Sequence, residues 1–450
     1  MSLLATPSFK IRGEKMMTYI PILLAVLLGS QGQAKVADSD AVKLLQKYVQ
    51  INTVTTSDLT KAVDFWKQLA AEDNLPISVH EYTPGYPVVI IKWAGTDDSL
   101  DSIMLNSHMD VVPAAMSDGW TYDPFSGHLD TNGDIYGRGT QDMKSVSIQY
   151  YMALRRLKAN NIPLLRNVYM TLMPDEELGA ENGMIPFLKS QEFLDMNVGL
   201  ELDEGTSYPI PFIPVFYQDK VVWQIRVDCY GISAHGSTFP TTDSTATGKC
   251  NNVINRFFQF RDEQYALYGK AAQDNAGGYT SINLNRINAG TADNVIPSHV
   301  SLVFDMRLGN TVDTEEFDAT LHKWISEAGE NITLTYILKN QQSPATYTNT
   351  TTPYWTAITT AAASAGVIVA PILPPGSTDA RHVRNAGYPA YGVSPMPSTE
   401  LLLHSVNERL NKNTFTKGIS FYEKVIKNLA NVPGSATAQN PVAYLYKTAE

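Results

Sequence analysis

Only eight histidines and two cysteines are spread over 450 residues, so metal chemistry here would have to use imidazole and carboxylate rather than thiolate. Cys229 and Cys250 are too few for a thiolate zinc cluster or a disulfide framework. His108 stands in SHMDVVP. Side chains at i and i+2 share a strand face, so Asp110 can receive its Nδ1–H and leave Nε2 for a metal. Alone, such a pair is an ordinary polar surface feature. Asp142 lies in GRGTQDMK at a helix entry, where a carboxylate also serves as a cap. Glu176 and Glu177 lie in MPDEELGAENG just after a strand, a place where a solvated charge run is equally at home. Glu204 ends GLELDEG, with Glu201 and Asp203 as rival ligands and a plain loop acid as the simpler role. His404 follows the apolar LLL of STELLLHSVNE, where a core histidine would also fit.

Together these residues are two imidazoles and three carboxylates with a spare glutamate, each at a strand end or in the loop after it, where open α/β sheets bind ligands. Such a set suits two zinc ions sharing a bridging carboxylate. Three carboxylates and a bridging hydroxide offset the charge of two divalent cations, and the remaining glutamate is free to act as a base. A non-heme iron site needs two His and one carboxylate at a single iron, so the extra carboxylates argue for two metals.

The elements that must position these groups alternate strand and helix, the pattern of βαβ units on a mainly parallel sheet. Strands are expected at 102–112, 167–174 and 197–204. Helices are expected at 140–158, where Met143, Val146, Ile148, Tyr151, Leu154 and Leu157 recur at helical spacing, and over about ten residues from Glu181. The proline-rich run Pro209 to Pro214 marks a crossing between domains. Beyond it come strand 221–230, helix 244–272, strands 279–287 and 299–308, helix 314–328 and strand 331–338. That is the βαββαβ order of a ferredoxin-like domain. Val221, Trp223, Ile225 and Val227 share one face of its first strand, so the sheet is covered on one side and has the other free for a partner. A helix at 354–365, the stretch GSTDARHVRNAG, a strand through YPAYGVS and a helix at 413–429 return to the first style. The fold class is α/β: a catalytic domain at 35–216 and 343–432, interrupted by an inserted α+β lid or dimerisation domain at 217–342. A leader at 1–34 and a tail at 433–450 flank them.

Composition supports a well-cored chain: 44% of residues are apolar and 18% charged, which excludes a disordered or miniature scaffold. The net charge of −11 offers nucleic acid no basic face. Lys10, Arg12 and Lys15 precede the apolar run Tyr19 to Leu28, and Gly32 and Ala34 then stand at signal-peptidase spacing. The run falls short of the ~20 residues needed to cross a bilayer. It reads as a cleaved secretory signal initiated at Met16 or Met17; a short anchor or a disordered extension are the plainer alternatives. The expected destination is secreted or periplasmic, with no integral span left after cleavage. In that setting Cys229 and Cys250 can pair, although buried thiols are the simpler state.

From about residue 40 to 430, SHMDVVP, GRGTQDMK, PDEELGAENG, LELDEG, NVIPSHVSLVFDMR, GSTDARHVRNAG and LLLHSVNERL resemble, in order, the motifs of the aminoacylase-1 family of co-catalytic zinc hydrolases. That group includes acetylornithine deacetylase, succinyl-diaminopimelate desuccinylase, carnosine-type dipeptidases and glutamate carboxypeptidases. DEELG, then LDEG, then SPM before LLLH is most similar to the aminoacylase branch. The resemblance implies two zinc ions per subunit: His108 and Glu204 on one, Glu177 and His404 on the other, Asp142 bridging. It implies that Asp110 orients His108, that Glu176 is the general acid/base and that the Asp142–Met143 peptide is cis. His235, in GISAHGS, would reach the partner subunit's active site in a homodimer and stabilise the oxyanion. Without the resemblance it reads as a loop histidine in a glycine-rich turn. Asn294 and Arg307 would contact substrate, and Arg381 would grip the substrate carboxylate as a bidentate pair. A structural ion pair is the other role open to either arginine.

The implied reaction is hydrolysis of an N-acyl-L-amino acid to a carboxylic acid and a free amino acid by a zinc-bridging hydroxide. A dipeptidase or carboxypeptidase would use the same chemistry. A zinc-binding scaffold without catalysis is the reading of another class, and the complete ligand set together with Glu176 argues against it. Because His404 must return to a site begun by His108, the motif order demands one catalytic domain split by an insertion.

Overall fold

The computed structural model describes residues 31–274, 278–434 and 442–443. The leader expected at the N-terminus lies, over residues 1–30, outside the described residues, as does most of the tail. The first sheet contains Ile77–Glu81 (β1), Pro87–Trp93 (β2), Ser102–His108 (β3), Val168–Met173 (β4), Val198–Asp203 (β5) and Ile213–Phe216 (β6). A second sheet contains Val221–Tyr230 (β7), Ser281–Ala289 (β8), His299–Leu308 (β9) and Ile332–Lys339 (β10). The chain then rejoins the first sheet as Val369–Ile372 (β11) and Ala390–Val393 (β12).

Strand order in the first sheet is β1-β2-β4-β3-β5-β12-β6-β11. Its centre, β4-β3-β5-β12, is parallel, and the pairings turn antiparallel where β2 meets β4 and β6 meets β12. Every residue of β3 and of β5 is buried, because both faces of the sheet are covered. Ile103 and Leu105 pack on one face, into a core shared with the helices Gln31–Val49 (α1), Thr60–Glu72 (α2) and Lys144–Ala159 (α3). Met104 points the other way, towards Phe187, Phe193 and Val383. This two-sided burial produces the continuous apolar runs, and it leaves strand ends as the natural place for polar groups.

The second sheet is antiparallel with order β8-β9-β7-β10. Helices Ala246–Asp274 (α4) and Thr314–Ala328 (α5) complete the ferredoxin-like βαββαβ. Val221, Trp223, Ile225 and Val227 are buried against these helices, while Arg226 and Tyr230 on the opposite face are exposed. Cys229 on β7 and Cys250 on α4 form a disulfide with Cα atoms 5.9 Å apart, so the thiols are paired rather than free. Helices Pro353–Ala365 (α6) and Lys412–Ala430 (α7) close the first core.

Two local expectations are corrected. In place of one helix of about ten residues from Glu181 there are two short ones, Met184–Phe187 and Gln191–Met196. Ser190 separates them: its hydroxyl accepts the N–H of Phe193 at 3.2 Å and caps the second. The proline-rich run is not the crossing, because Ile213 to Phe216 already pair in parallel with β11. The chain leaves the first sheet at 217–220. No helix among the described residues is long and apolar enough to cross a membrane.

Candidate metal centre

Three adjacent parallel strands deliver the first ligands. His108 is the last residue of β3, Glu204 follows β5 directly, and Glu176 and Glu177 form the 3-10 turn Glu176–Leu178 just after β4. Asp142 enters from the loop before α3 through a cis Asp142–Met143 peptide. His404 arrives from the loop between β12 and α7, in the left-handed region at φ 57°. The structure thus gathers residues 108, 142, 176, 177, 204 and 404 at the C-terminal edge of one sheet.

Asp142 occupies the centre. One of its oxygens, Oδ1, lies 3.0 Å from His108 Nε2, and Oδ2 lies 3.2 Å from His404 Nε2. Glu204 approaches His108 Nε2 at 3.7 Å, and the two oxygens of Glu177 lie 3.2 and 3.1 Å from His404 Nε2. Two triads, His108–Asp142–Glu177 and His108–Glu176–Glu204, each place their donor atoms within 4.8 Å of one another. His108 Nδ1 faces the Asp110 carbonyl at 2.8 Å, with the Asp110 carboxylate at 3.4 Å. The contact expected of that carboxylate is therefore made more closely by the residue's own backbone. The carboxylate instead accepts the N–H groups of Glu176 and Glu177, each at 3.2 Å, and so fixes the turn that carries both.

The electrostatics ask for cations. Burial pushes the carboxyl groups of Glu176 and Glu204 well above the ordinary range, and burial followed by the Asp142 charge raises Glu177. Burial also opposes ionisation of Asp142, but hydrogen bonds from His108 and His404 outweigh it and hold that carboxyl low. Hydrogen bonds to Asp142 and Glu177 lift His404 to about 10. Two imidazoles clamped by crowded buried acids are the donor chemistry of a pair of divalent ions sharing one carboxylate, and the residues present fit that group.

The rival ligands fall away on geometry. Asp203 is fully engaged: Oδ1 accepts from Glu204 N at 2.8 Å and Oδ2 from Ala380 N at 2.7 Å. Glu201 is buried with no hydrogen-bond partner on either oxygen among the described residues, and burial pushes its carboxyl well above the ordinary range. Arg381 sits at the edge of the site, 3.6 Å from Glu176 Oε1, with Nη1 donating to Ser377 Oγ and the Thr378 carbonyl. It is 6% exposed, and its Nε has no partner among the described residues.

The other candidates are not brought in. His235 lies exposed in the short strand Ala234–His235 of the inserted domain, paired antiparallel with Val295–Ile296, with Nδ1 2.8 Å from Ser237 Oγ. Asn294 adjoins it, its carbonyl accepting Gly236 N–H at 2.7 Å. Arg307 on β9 forms an ion pair with Asp305 at 2.9 Å. Among the described residues none of the three has a hydrogen bond or ion pair to the acid cluster. Sequence reasoning passed over Gln141 and Glu408, buried supports of the ligand loops. Both lie inside motifs already singled out, but a polar residue spent on backbone N–H groups looks like any surface residue in a single sequence.

Residues 104–428, which span every ligand position, match the model of peptidase family M20/M25/M40. The chain is 38% identical to human aminoacylase-1 over 394 residues, covering 87% of this chain and 96% of the relative. Identity to aminoacylase-1A of Rattus norvegicus is 38% over 398 residues, 88% of this chain and 97% of the relative. Identity to aminoacylase-1 of Dictyostelium discoideum is 33% over 411 residues, 88% and 99%. Among solved structures, the M20 metallo-carboxypeptidase Sso-CP2 of Sulfolobus solfataricus superposes with a TM-score of 0.69 at 17% identity, covering 87% of this chain and 99% of its own. Human carnosine dipeptidase 1 gives 0.66 at 14%, covering 88% and 98%. With the match running through the whole ligand constellation, the chain belongs to peptidase family M20/M25/M40.

Proposed function

We propose that the protein is a di-zinc amidohydrolase that converts N-acyl-L-amino acids to a carboxylic acid and a free amino acid. The observation that carries the reading is Asp142, set between His108 at 3.0 Å and His404 at 3.2 Å with a further carboxylate beside each imidazole. The acyl-amino-acid class is supported by 38% identity to aminoacylase-1 over nearly the whole chain.

His108 and Glu204 would hold one zinc and Glu177 and His404 the other, with Asp142 shared. Such a pair, when bound, lowers the pKa of a water towards ~7 and polarises a carbonyl. Glu176 removes a proton from the water as its oxygen bonds to the acyl carbon. The same side chain returns that proton to the amide nitrogen as the C–N bond breaks. The free guanidinium edge of Arg381 faces the substrate carboxylate, which selects amides next to a free acid. His235, offered by the partner subunit of a homodimer, donates to the oxyanion, a contribution of about 10²-fold when one such donor is removed. The cysteine pair supports an oxidising destination, secreted or periplasmic, together with the basic-then-apolar N-terminus.

Metal analysis should find two zinc ions per chain. A panel of acetyl, long-chain acyl and dipeptide substrates then tests the class. Higher kcat/KM on the acyl amino acids is the expected result, and faster turnover of dipeptides would replace this reading with a dipeptidase. The N-terminal sequence of protein recovered from the cell exterior or periplasm tests export: an intact Met at the start, or retention inside the cell, would contradict it.

A further inference from the structure

The five ligands do not rest on equal foundations. His108 and Glu204 sit at the ends of β3 and β5, strands buried throughout. His404 comes from residues 398–408, which form neither helix nor strand. Its imidazole is 53% exposed, and Leu401 and Val406 on either side turn 43% and 37% of their surface to solvent. Apolar packing therefore does little to hold this loop, and something else must keep His404 within reach of Asp142.

Two buried polar side chains meet that need. Gln141, next to Asp142, is 1% exposed and uses all four of its hydrogen-bonding positions. Its Nε2 donates to the carbonyls of Glu400 at 3.0 Å and Arg409 at 2.9 Å, the two ends of the His404 loop. Its Oε1 accepts Leu402 N–H at 3.0 Å, from within that loop, and Ser207 Oγ–H at 2.8 Å, beyond Glu204. Glu408 runs the tie in reverse. Fully buried at the end of the loop, its Oε1 accepts the N–H groups of Gly139 at 3.1 Å, Gln141 at 2.7 Å and Asp142 at 3.3 Å. The other oxygen, Oε2, accepts Arg138 Nη1 at 2.7 Å, and the same Nη1 reaches the Ser405 carbonyl at 3.3 Å. Neither Gln141 nor Glu408 contacts a ligand side chain in the described geometry, so neither is catalytic.

We infer that Gln141 and Glu408 are positioning residues that lock the His404 loop onto the Asp142 turn, and that they govern occupancy of the His404–Glu177 metal position while leaving the His108–Glu204 position largely intact. This rests on the two-ion reading of the site. The physical basis is that groups orienting metal ligands typically change metal affinity by about 10- to 100-fold when removed. Asp142 is shared by both positions, and of the unshared ligands only His404 lies in a loop that both side chains tie down.

The test is zinc titration of the metal-depleted full chain, by calorimetry and by competition with a chromophoric chelator, in wild type, Gln141→Ala and Glu408→Gln. In Glu408→Gln the new amide nitrogen faces either the backbone N–H groups or Arg138, so the lock is broken without loss of volume. The expected outcome is two zinc ions in wild type. In both variants the weaker step should fall about 10- to 100-fold and the tighter step stay within threefold, with kcat reduced and thermal midpoints close to wild type. Two undisturbed zinc affinities in both variants would overturn the lock. Parallel loss of both steps with a lowered melting midpoint in both variants would also overturn it, leaving a purely structural role. A wild type that binds fewer than two ions would instead refute the two-ion site, and the inference with it.

Discussion

Replacing Glu176 by Gln keeps the side chain's shape and removes its ability to take a proton. In the structure the three carboxylates of the ligand cluster are each engaged with an imidazole: Asp142 is hydrogen-bonded by both, Glu177 faces His404 and Glu204 faces His108. The full contribution of a positioned acid/base should therefore be lost. That is about 10²- to 10⁴-fold in kcat, or roughly 2.7 to 5.5 kcal/mol of barrier. KM should change little if the substrate carboxylate is held by Arg381, as proposed. The assay is initial-rate hydrolysis of an N-acetyl amino acid at saturating substrate, beside zinc analysis of the same sample. The pH profile adds a second readout. Burial raises the Glu176 carboxyl above its ordinary range, and the base form is needed, so wild-type activity is lost as pH falls through that raised value. Glu176→Gln should lack this acid limb. The stability sign is opposite: a carboxyl raised in the fold contributes stability at low pH that is lost as pH rises through the raised value. Metal-free Glu176→Gln should accordingly melt no lower than metal-free wild type at pH 8. A variant that holds two zinc ions per chain and turns over within tenfold of wild type would refute the assigned role.

Further outcomes follow from other parts of the molecule. Arg381→Lys should raise KM for acyl amino acids at least tenfold, through loss of the bidentate fork, with little effect on amides lacking a carboxylate; equal effects on both substrates would sink the assignment. Cys229→Ser together with Cys250→Ser opens a loop with a sequence separation of 21, and chain entropy gives a loss of about 3 kcal/mol in urea unfolding; a loss under 1 kcal/mol would show that the bond constrains little. If His235 serves the partner subunit's site, co-expressed His235→Ala and Glu176→Gln chains should form mixed dimers more active than either variant alone. Absence of any such recovery in dimers shown to be mixed would contradict the trans arrangement.

Much of the site was legible because its chemistry is written in residue types at strand ends. The runs ending at His108, Met173 and Asp203 are rich in apolar residues and buried almost throughout, so the charged residues at and just after their ends stand out. The ferredoxin-like insert was legible through the alternation along β7. Other elements were not. β2 and β11 went unread because short apolar runs near prolines do not by themselves distinguish a strand from a buried connection. The helix after Glu181 was misjudged because the cap at Ser190 outweighs the helical pattern around it.

Residue type and order alone pointed to His108, His404 and carboxylates as the candidate metal ligands, and to a domain inserted between the halves of the site. Only the tertiary structure chose among Glu201, Asp203 and Glu204: alternation along β5 and its backbone contacts engage Asp203, bury Glu201 and turn Glu204 to His108. Only the tertiary structure showed that Asp110 holds the glutamate turn through its carboxylate, and that Gln141 and Glu408 tie the loops together. The reason is physical. Ligand identity follows from the chemistry of a side chain, which a sequence states, whereas ligand position follows from hydrogen bonds between segments far apart in the chain, which exist only once the fold has brought them together.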